Sequence, residues 1–425
     1  MDTVMMGLLG SHIIAAGALG ASLFHMLLII GSAIVSAVSP LAAEAFGANH
    51  SQQVSRVARQ GLWLAVLLSI PVTLLIWHGG SLLRLSGQSS NNAALAEVYL
   101  RAIAWGYLPG LGFAVLRSFV SALSRPRPVI VIVVCGTLFN VVANYVLSLG
   151  KLGFPALGLA GIGWASTLSL WGMFVVLAVY SVSQRSLRSY QVFHNLHQFE
   201  GKVFRELLHI GLPIGVLAAV ESGLFTATAL LMGLLGTTVL AAHQIALQTA
   251  AVTFTIPLGI SIATTVRVGQ LIGQQNFSGA RLAGFVGIGI AAVFMAGMGI
   301  LFWTFPTQIV ALYIDIEDPA NAAVLSLAKS LLGVAAMFQI VDGIQVAAAG
   351  ALRGLKDTRI PMVIGIFAYW GIGLTSGYTL GLLLGFGGVG LWWGLAIGLA
   401  IAAVVLTWRF SRAQTWQAVK LAGST

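Results

Sequence analysis

The sequence predicts an all-α polytopic membrane protein built from two repeated halves. Of its 425 residues, 58% are hydrophobic and only 8% are charged, and the mean hydropathy is +0.96. Apolar runs of about twenty residues recur throughout, and this is the length of helix that crosses a bilayer. A short sequence motif also occurs twice, once near the start and once near the middle. These three observations exclude a water-soluble globular protein.

We expect eleven full membrane spans, taken in chain order. They lie near residues 13–37, 60–78, 98–123, 129–149, 159–180, 208–232, 240–266, 282–305, 323–352, 360–384 and 389–408. The alternating ten-residue segments that are typical of an outer-membrane barrel do not occur in the sequence. Cys135 is the single cysteine, which excludes an internal disulfide and a thiolate metal cluster.

The repeat defines the predicted domain organisation. Residues 6–16 read MGLLGSHIIAA and residues 232–242 read MGLLGTTVLAA. We predict two six-helix lobes, at 1–182 and 207–425, that are related by pseudo-two-fold symmetry and joined by a basic linker at 183–206. About thirty residues that we expect to be membrane-embedded, roughly 203–231, precede the motif in the second half, but only five residues precede it in the first. We therefore expect twelve spans, most of the first lying upstream of Met1.

Basic residues are concentrated in alternate loops. This distribution predicts that those loops and the carboxyl terminus face the cytoplasm, because membrane proteins keep Lys and Arg inside. It also explains the net charge of +10 without nucleic-acid binding. The basic residues on this side are Arg56, Arg59, Arg125, Arg127, Arg185, Arg188, Lys202, Arg205, Arg267, Arg281, Arg353, Lys356, Arg359, Arg409, Arg412 and Lys420.

Three isolated acids, Asp2, Glu221 and Asp342, lie within otherwise apolar stretches. An acid at membrane depth is unfavourable by several kcal/mol unless a partner compensates it, so such residues indicate function. No basic residue of comparable predicted depth lies beside them in the sequence. We therefore predict sites that bind and release cations.

Several segments, in the right order and spacing, resemble the NorM-type branch of the multidrug and toxin extrusion (MATE) transporters. They are MDTVMMGLLGSHIIAAGALG (1–20), LRSFVSALSRPRP (116–128), FNVVANYVLSLGKLGFPALGLAG (139–161), AAHQIALQTAAVTFTIPLGISIATTVRVGQLIG (241–273) and MFQIVDGIQVAAAGALRGLKDTRIP (337–361). The resemblance implies two six-helix lobes around a V-shaped central cavity. It also implies export of amphipathic organic cations, driven by entry of Na⁺ or H⁺.

The resemblance implies a cation site in the first lobe. The family's aspartate on the first helix matches Asp2, its two polar residues on the fifth helix match Asn140 and Asn144, and its hydroxyl on the sixth matches Ser166. Residues 140 and 144 share one face of a helix, and their amide oxygens suit a hard cation. The alternative role for the two asparagines is hydrogen bonding between helices.

A second cation site is implied in the second lobe. The family's glutamate on the seventh helix matches Glu221, and its aspartate on the tenth matches Asp342. The tyrosine one turn before that aspartate is Phe338 here, which removes an oxygen ligand. Na⁺ at Asp2, Asn140, Asn144, Glu221 and Asp342 is therefore one prediction, and coupling to H⁺ is its alternative.

The expected function is secondary active efflux of cationic small molecules by a monomer in a bacterial-type inner membrane. No nucleotide-binding or catalytic motif occurs in the sequence, so we expect neither an enzyme nor a cofactor other than the coupling ion. A flippase for lipid-linked oligosaccharides is the alternative. That function needs basic residues to hold pyrophosphate, whereas the deep charges in this sequence are acidic.

Overall fold

The computed structural model describes residues 5–7, 11–85, 87, 89–151, 153 and 155–413, and none of these residues forms a β-strand. The described residues contain eleven helices that are long and apolar enough to cross a membrane. In chain order these are α1 (Ala16–Gly47), α2 (Ser51–Trp77), α3 (Ser90–Ala122), α4 (Arg127–Leu149), α5 (Gly158–Ser183), α6 (Gly201–Leu234), α7 (Thr237–Gly273), α8 (Phe277–Thr304), α9 (Pro319–Gly354), α10 (Arg359–Leu383) and α11 (Gly387–Ser411).

The eleven helices coincide with the eleven predicted spans, so this prediction is confirmed. Some helices begin earlier than the apolar run that identifies them. Helix α2 begins at Ser51, about nine residues before its run, and α6 begins at Gly201, inside the predicted linker. The reason is that a first turn at a membrane surface can carry polar residues such as Gln52 and Arg56, which hydropathy assigns to a loop.

Several helices depart from regular α geometry. Helix α1 is interrupted between Val35 and Val38, shortly before Pro40, and α3 contains a short 3₁₀ turn at Ala104–Gly106. Helix α10 contains two π-helical stretches, Phe367–Leu374 and Thr379–Leu383. Such stretches rotate the side chains that follow them relative to a regular α-helix, so hydropathy periodicity cannot predict which residues of α10 face inward.

The chain divides into two compact units, Met1–Gly215 and Val216–Thr425. The division falls inside α6, shortly after the internal Pro213. The predicted lobes at 1–182 and 207–425, with the linker at 183–206, stay a prediction.

In the first unit, the connecting segment, residues 184–200, lies along α2. Three side chains within about one turn of α2 donate hydrogen bonds to backbone carbonyls of this segment. These bonds run from Arg59 to His194 (3.1 Å), from Gln60 to Gln198 (3.0 Å) and from Trp63 to Leu196 (2.7 Å). Arg56 adds an ion pair to Glu200 at 3.4 Å. The segment is therefore attached to the first unit along much of its length.

In the second unit, α9 is the central helix and contacts α7, α8 and α11. Its small residues allow α7 to approach closely, and hydroxyl groups of α7 bond to its backbone. Ser261 donates to the Val346 carbonyl (2.7 Å), and Thr265 donates to the Gly350 carbonyl (2.8 Å). Because backbone contacts hold α9 at a defined rotation, they determine which of its side chains face the interior.

Candidate cation sites in the two units

Asp342 of α9 lies in the interior of the second unit. The residue is only 5% exposed, and its Oδ1 atom accepts no hydrogen bond from any residue that the structure describes. Two glutamines flank it on the same helix, Gln339 and Gln345, and both are buried. An ionised carboxylate in such surroundings is unfavourable without a compensating charge, so this site favours binding of a cation or a proton.

Glu221 of α6 is the second acid of this unit, and the structure brings it near Asp342, so that the two interact electrostatically. Helix α10 holds this part of α6 in place, because the Trp370 indole donates to the Val220 carbonyl at 2.9 Å. The structure thus brings the two acids together, and their role in binding a cation stays a prediction.

Arg353 is not in the predicted position. The charge distribution assigns it to a loop. The structure instead places it in the last turn of α9, where it interacts electrostatically with Glu221. Arg353 follows Asp342 by eleven residues, or about 16 Å along a helix. Glu221 therefore interacts with one basic residue, Arg353, and one acidic residue, Asp342.

Phe338 packs in the aromatic core of the second unit. Its ring is T-shaped against Trp392, with centroids 5.3 Å apart, and against Phe225 at 6.4 Å. The Trp392 indole in turn donates to His243 Nδ1 at 3.2 Å. Phe338 has no oxygen to offer a cation, and its contacts are those of a core residue.

Gln345 and Tyr369 were not predicted as site residues. The Gln345 side-chain nitrogen donates a hydrogen bond to the Tyr369 hydroxyl, and both side chains are buried. Tyr369 also interacts electrostatically with Glu221, Asp342 and Arg353. Gln345 could have been found from its position three residues after Asp342, which places both on one helix face. Tyr369 lies in a π-helical stretch of α10. The periodicity of a regular α-helix therefore does not predict that its side chain faces the site.

In the first unit, three of the four predicted residues form one hydrogen-bonded chain across α4 and α5. The Asn144 amide donates to Asn140 Oδ1 at 3.0 Å, and the Asn140 amide donates to Ser166 Oγ at 3.1 Å. The bond from Asn140 to Ser166 joins α4 to α5, as the interhelical alternative requires, whereas the bond from Asn144 to Asn140 lies within α4. The cation-binding role stays a prediction. Asp2, the fourth residue, lies outside the described residues.

A cavity of about 550 Å³ adjoins Asn140 and Ser166. Its walls are mainly apolar and include Phe24, Leu170 and Met173. His25 of α1 also lines the cavity and was not predicted as a site residue. The sequence feature that could have indicated His25 is a single histidine within an otherwise apolar run. Apolar walls with a few polar groups are typical of small-molecule sites.

The MatE family model matches residues 1–146 and 213–379, about three quarters of the chain. The chain belongs to the MatE family. The matched residues of this family include Asn140, Asn144, Glu221 and Asp342, whereas Ser166 lies between the two matched segments.

Relatives within the MatE family are similar over nearly the whole chain. The probable multidrug resistance protein NorM of Synechocystis sp. is 45% identical over 97% of this chain and 89% of its own length. The protein of the same name from Pseudomonas aeruginosa is 41% identical over 99% of this chain and 85% of its own length. The predicted resemblance to MATE transporters of the NorM type is therefore confirmed.

Solved MATE structures share the fold at lower identity. A crystal structure of MATE in complex with MaL6 has a TM-score of 0.88 and 20% identity, covering 99% of this chain and 92% of that chain. The eukaryotic MATE transporter AtDTX14 has a TM-score of 0.83 and 22% identity, covering 95% and 89%. The all-α polytopic membrane fold is confirmed, and MatE proteins are transporters rather than enzymes.

Proposed function

We propose that this chain is a secondary active multidrug transporter, which exports amphipathic organic cations in exchange for inward-moving Na⁺ or H⁺. The observation that carries the proposal is the pairing of the half-buried Glu221 with the buried Asp342 in the second unit. The names of the relatives, which describe multidrug resistance proteins, support the export of drugs.

The acid pair provides a physical basis for coupling. A buried carboxylate is stabilised when it binds a cation or a proton, and it becomes unfavourable again when that ion leaves. Asp342 can therefore exist in two states that differ in charge. Entry of one cation down a potential of 100 mV releases about 2.3 kcal/mol, before any concentration gradient is added. Exchange by alternating access uses this energy to expel substrate.

The cavity of the first unit supports the substrate class. Its apolar walls suit the rings of an amphipathic compound, whereas Asn140, Ser166 and His25 supply polar contacts that orient it. A flippase for pyrophosphate-linked lipids would need Lys or Arg in such a cavity. The described residues that line it include neither type, so this alternative is less well supported.

We also propose that the protein acts as a monomer in a bacterial inner membrane, with its carboxyl terminus in the cytoplasm. The positive-inside distribution of Lys and Arg supports the orientation. No cofactor other than the coupling ion is needed for the exchange.

The test is ethidium efflux from cells that express the protein. We expect efflux to stop when both the Na⁺ and H⁺ gradients are collapsed, and to be abolished in Asp342→Asn and in Glu221→Gln. The control is Glu317→Gln, which changes an exposed acid of the same unit. Membrane levels of all variants are compared by immunoblot. Efflux that continues without either gradient, or an Asp342→Asn variant that exports like the parent, would refute the proposal.

A further inference from the structure

A polar cavity of about 300 Å³ lies between the start of α2 and the connecting segment, in the first unit. Arg56 and Arg59 line it from α2, and Tyr190, His194 and Gln198 line it from the segment. Arg59 is only 9% exposed, and its Nε atom forms no hydrogen bond with any residue that the structure describes. About nine in ten or more buried polar atoms in proteins have a partner, so this buried donor is suited to an acceptor on a ligand.

The charges at this cavity favour an anion. Among the described residues that line it, Glu200 is the only acid, and it forms ion pairs with Arg56 at 3.4 Å and with Arg59 at 3.9 Å. Both distances exceed the roughly 2.7–2.9 Å of a charge-assisted hydrogen bond, so Glu200 does not saturate the donors of either guanidinium. Arg125 adds a third positive charge, because it interacts electrostatically with Tyr190. The positive charges therefore exceed the negative charge at this cavity.

An apolar cavity of about 320 Å³ lies further along α2. Trp63 and Val66 line it from α2, Phe174 lines it from α5, and Phe193 and Leu196 line it from the connecting segment. None of the described residues that line this cavity is charged. Walls of aliphatic and aromatic side chains suit a hydrocarbon chain, because both surfaces are removed from water on contact.

The two cavities share one face of α2. Residues 55, 59, 62 and 66 follow the three- and four-residue spacing of a single helix face. Ser55 and Arg59 line the polar cavity, whereas Leu62 and Val66 line the apolar one. The helix rises about 10 Å from Arg59 to Val66, a length that a phosphate, a glycerol and the first carbons of an acyl chain can span. Trp63 lies between them in sequence, and tryptophan is enriched where a membrane meets water.

We propose that the two cavities bind one phospholipid with an anionic headgroup. Arg56 and Arg59 bind its phosphate, and the apolar cavity binds part of an acyl chain. The basic loops predict that this end of α2 faces the cytoplasm, where anionic lipids attract basic sites between helices. The bound lipid contacts both α2 and the connecting segment, and it therefore stabilises their association. The site shares no residue with the acid pair, so the inference does not depend on the proposed antiport function.

The experiment measures binding of dioleoyl phosphatidylglycerol to the purified full-length protein, delipidated in detergent, by native mass spectrometry. We expect Arg56→Gln and Arg59→Gln each to weaken binding of the first lipid about tenfold, since each removes a contact to a charged phosphate. The control is Arg127→Gln, which neutralises an exposed arginine of the same unit and should leave this binding unchanged. Thermal melting without lipid checks that each variant is folded.

The acyl-chain cavity is tested by filling it. Val66→Phe should weaken binding of the first lipid about tenfold, the effect of displacing roughly two methylene groups from the cavity. The matched control is Val133→Phe on α4. Val133 is 37% exposed, close to the 38% of Val66, and it lines neither cavity. Equal weakening by both substitutions would show that the apolar cavity does not bind the chain.

Two further ligands identify which parts of the lipid are recognised. Dioleoyl phosphatidylcholine, which has no net charge, should bind about tenfold more weakly than phosphatidylglycerol. Glycerol 3-phosphate, which has no acyl chain, should not displace the bound lipid. Equal affinity for the two lipids, displacement by glycerol 3-phosphate, or parental binding in Arg56→Gln would each overturn the inference. If Arg59→Gln does not fold, Arg56→Gln decides alone.

Discussion

At the scale of single residues, the interior of the second unit contains polar atoms that form hydrogen bonds and polar atoms for which none of the described residues is a partner. The indole of Trp392 donates to His243 Nδ1, which places the proton of the neutral imidazole on Nε2. His243 is fully buried, and the Phe338 ring covers the same tryptophan. These contacts hold the His243 ring in place, whereas its Nε2 atom forms no hydrogen bond with any residue that the structure describes.

Trp392→Phe should destabilise the protein through this histidine. The variant retains an aromatic ring but leaves His243 Nδ1 buried without a donor, which is unfavourable by about 1–3 kcal/mol. We expect a lower melting temperature in detergent. The matched control is Trp393→Phe, one residue along and 43% exposed, which should melt close to the parent. Equal melting of the two variants would show that the indole–imidazole bond contributes nothing.

At the scale of helices, close approach of backbones determines how α10 packs on α11. A Cβ atom added at Gly394 would lie 2.2 Å from the Gly377 Cα, and one added at Gly398 would lie 2.7 Å from the Gly373 Cα. Backbone atoms cannot move aside as a flexible side chain can. These glycines are therefore required by the contact between two helices.

Gly394→Ala should separate α10 from α11 and reduce the amount of folded protein in the membrane. Gly289→Ala is the control, because a Cβ at this α8 position meets nothing within 4 Å. It should be tolerated or slightly stabilising, since alanine is favoured over glycine in a helix by about 1 kcal/mol. Fluorescence-detected size-exclusion chromatography compares the two. A monodisperse peak of parental height for Gly394→Ala would contradict this account of the interface.

The attachment of the connecting segment to α2 can be tested in a similar way. Gln60→Leu removes the hydrogen bond to the Gln198 carbonyl and should make residues 184–200 more susceptible to limited proteolysis. Gln53→Leu, near the start of the same helix, is the control. Identical cleavage of both variants would indicate that this bond does not restrain the segment.

At the scale of the whole molecule, the charge distribution predicts the orientation in the membrane. Sixteen of the 21 Lys and Arg lie on one predicted side, so we expect the carboxyl terminus in the cytoplasm. A carboxyl-terminal green fluorescent protein fusion should fluoresce, and an alkaline phosphatase fusion at the same point should be inactive. The opposite pattern would reverse the orientation.

The sequence alone determined the fold class, the eleven spans, the family and the two acids of the second unit. Each of these depends on amino-acid composition, on the length of an apolar run, or on a charged residue that is unfavourable in a bilayer. Such properties are visible in the sequence without knowledge of which helices are in contact. Gln345 could also have been predicted as a site residue, because its spacing of three residues from Asp342 places both on one face of a single helix.

Only the tertiary structure decided the surroundings of those acids. Tyr369 contacts Gln345 from an irregular stretch of α10. Arg353 interacts with Glu221 although the charge pattern assigns it to a loop, and His25 lines a cavity with residues of α4 and α5. These relations join residues that are distant in sequence. They depend on how far each helix is rotated about its axis, and close backbone contacts between neighbouring helices set that rotation.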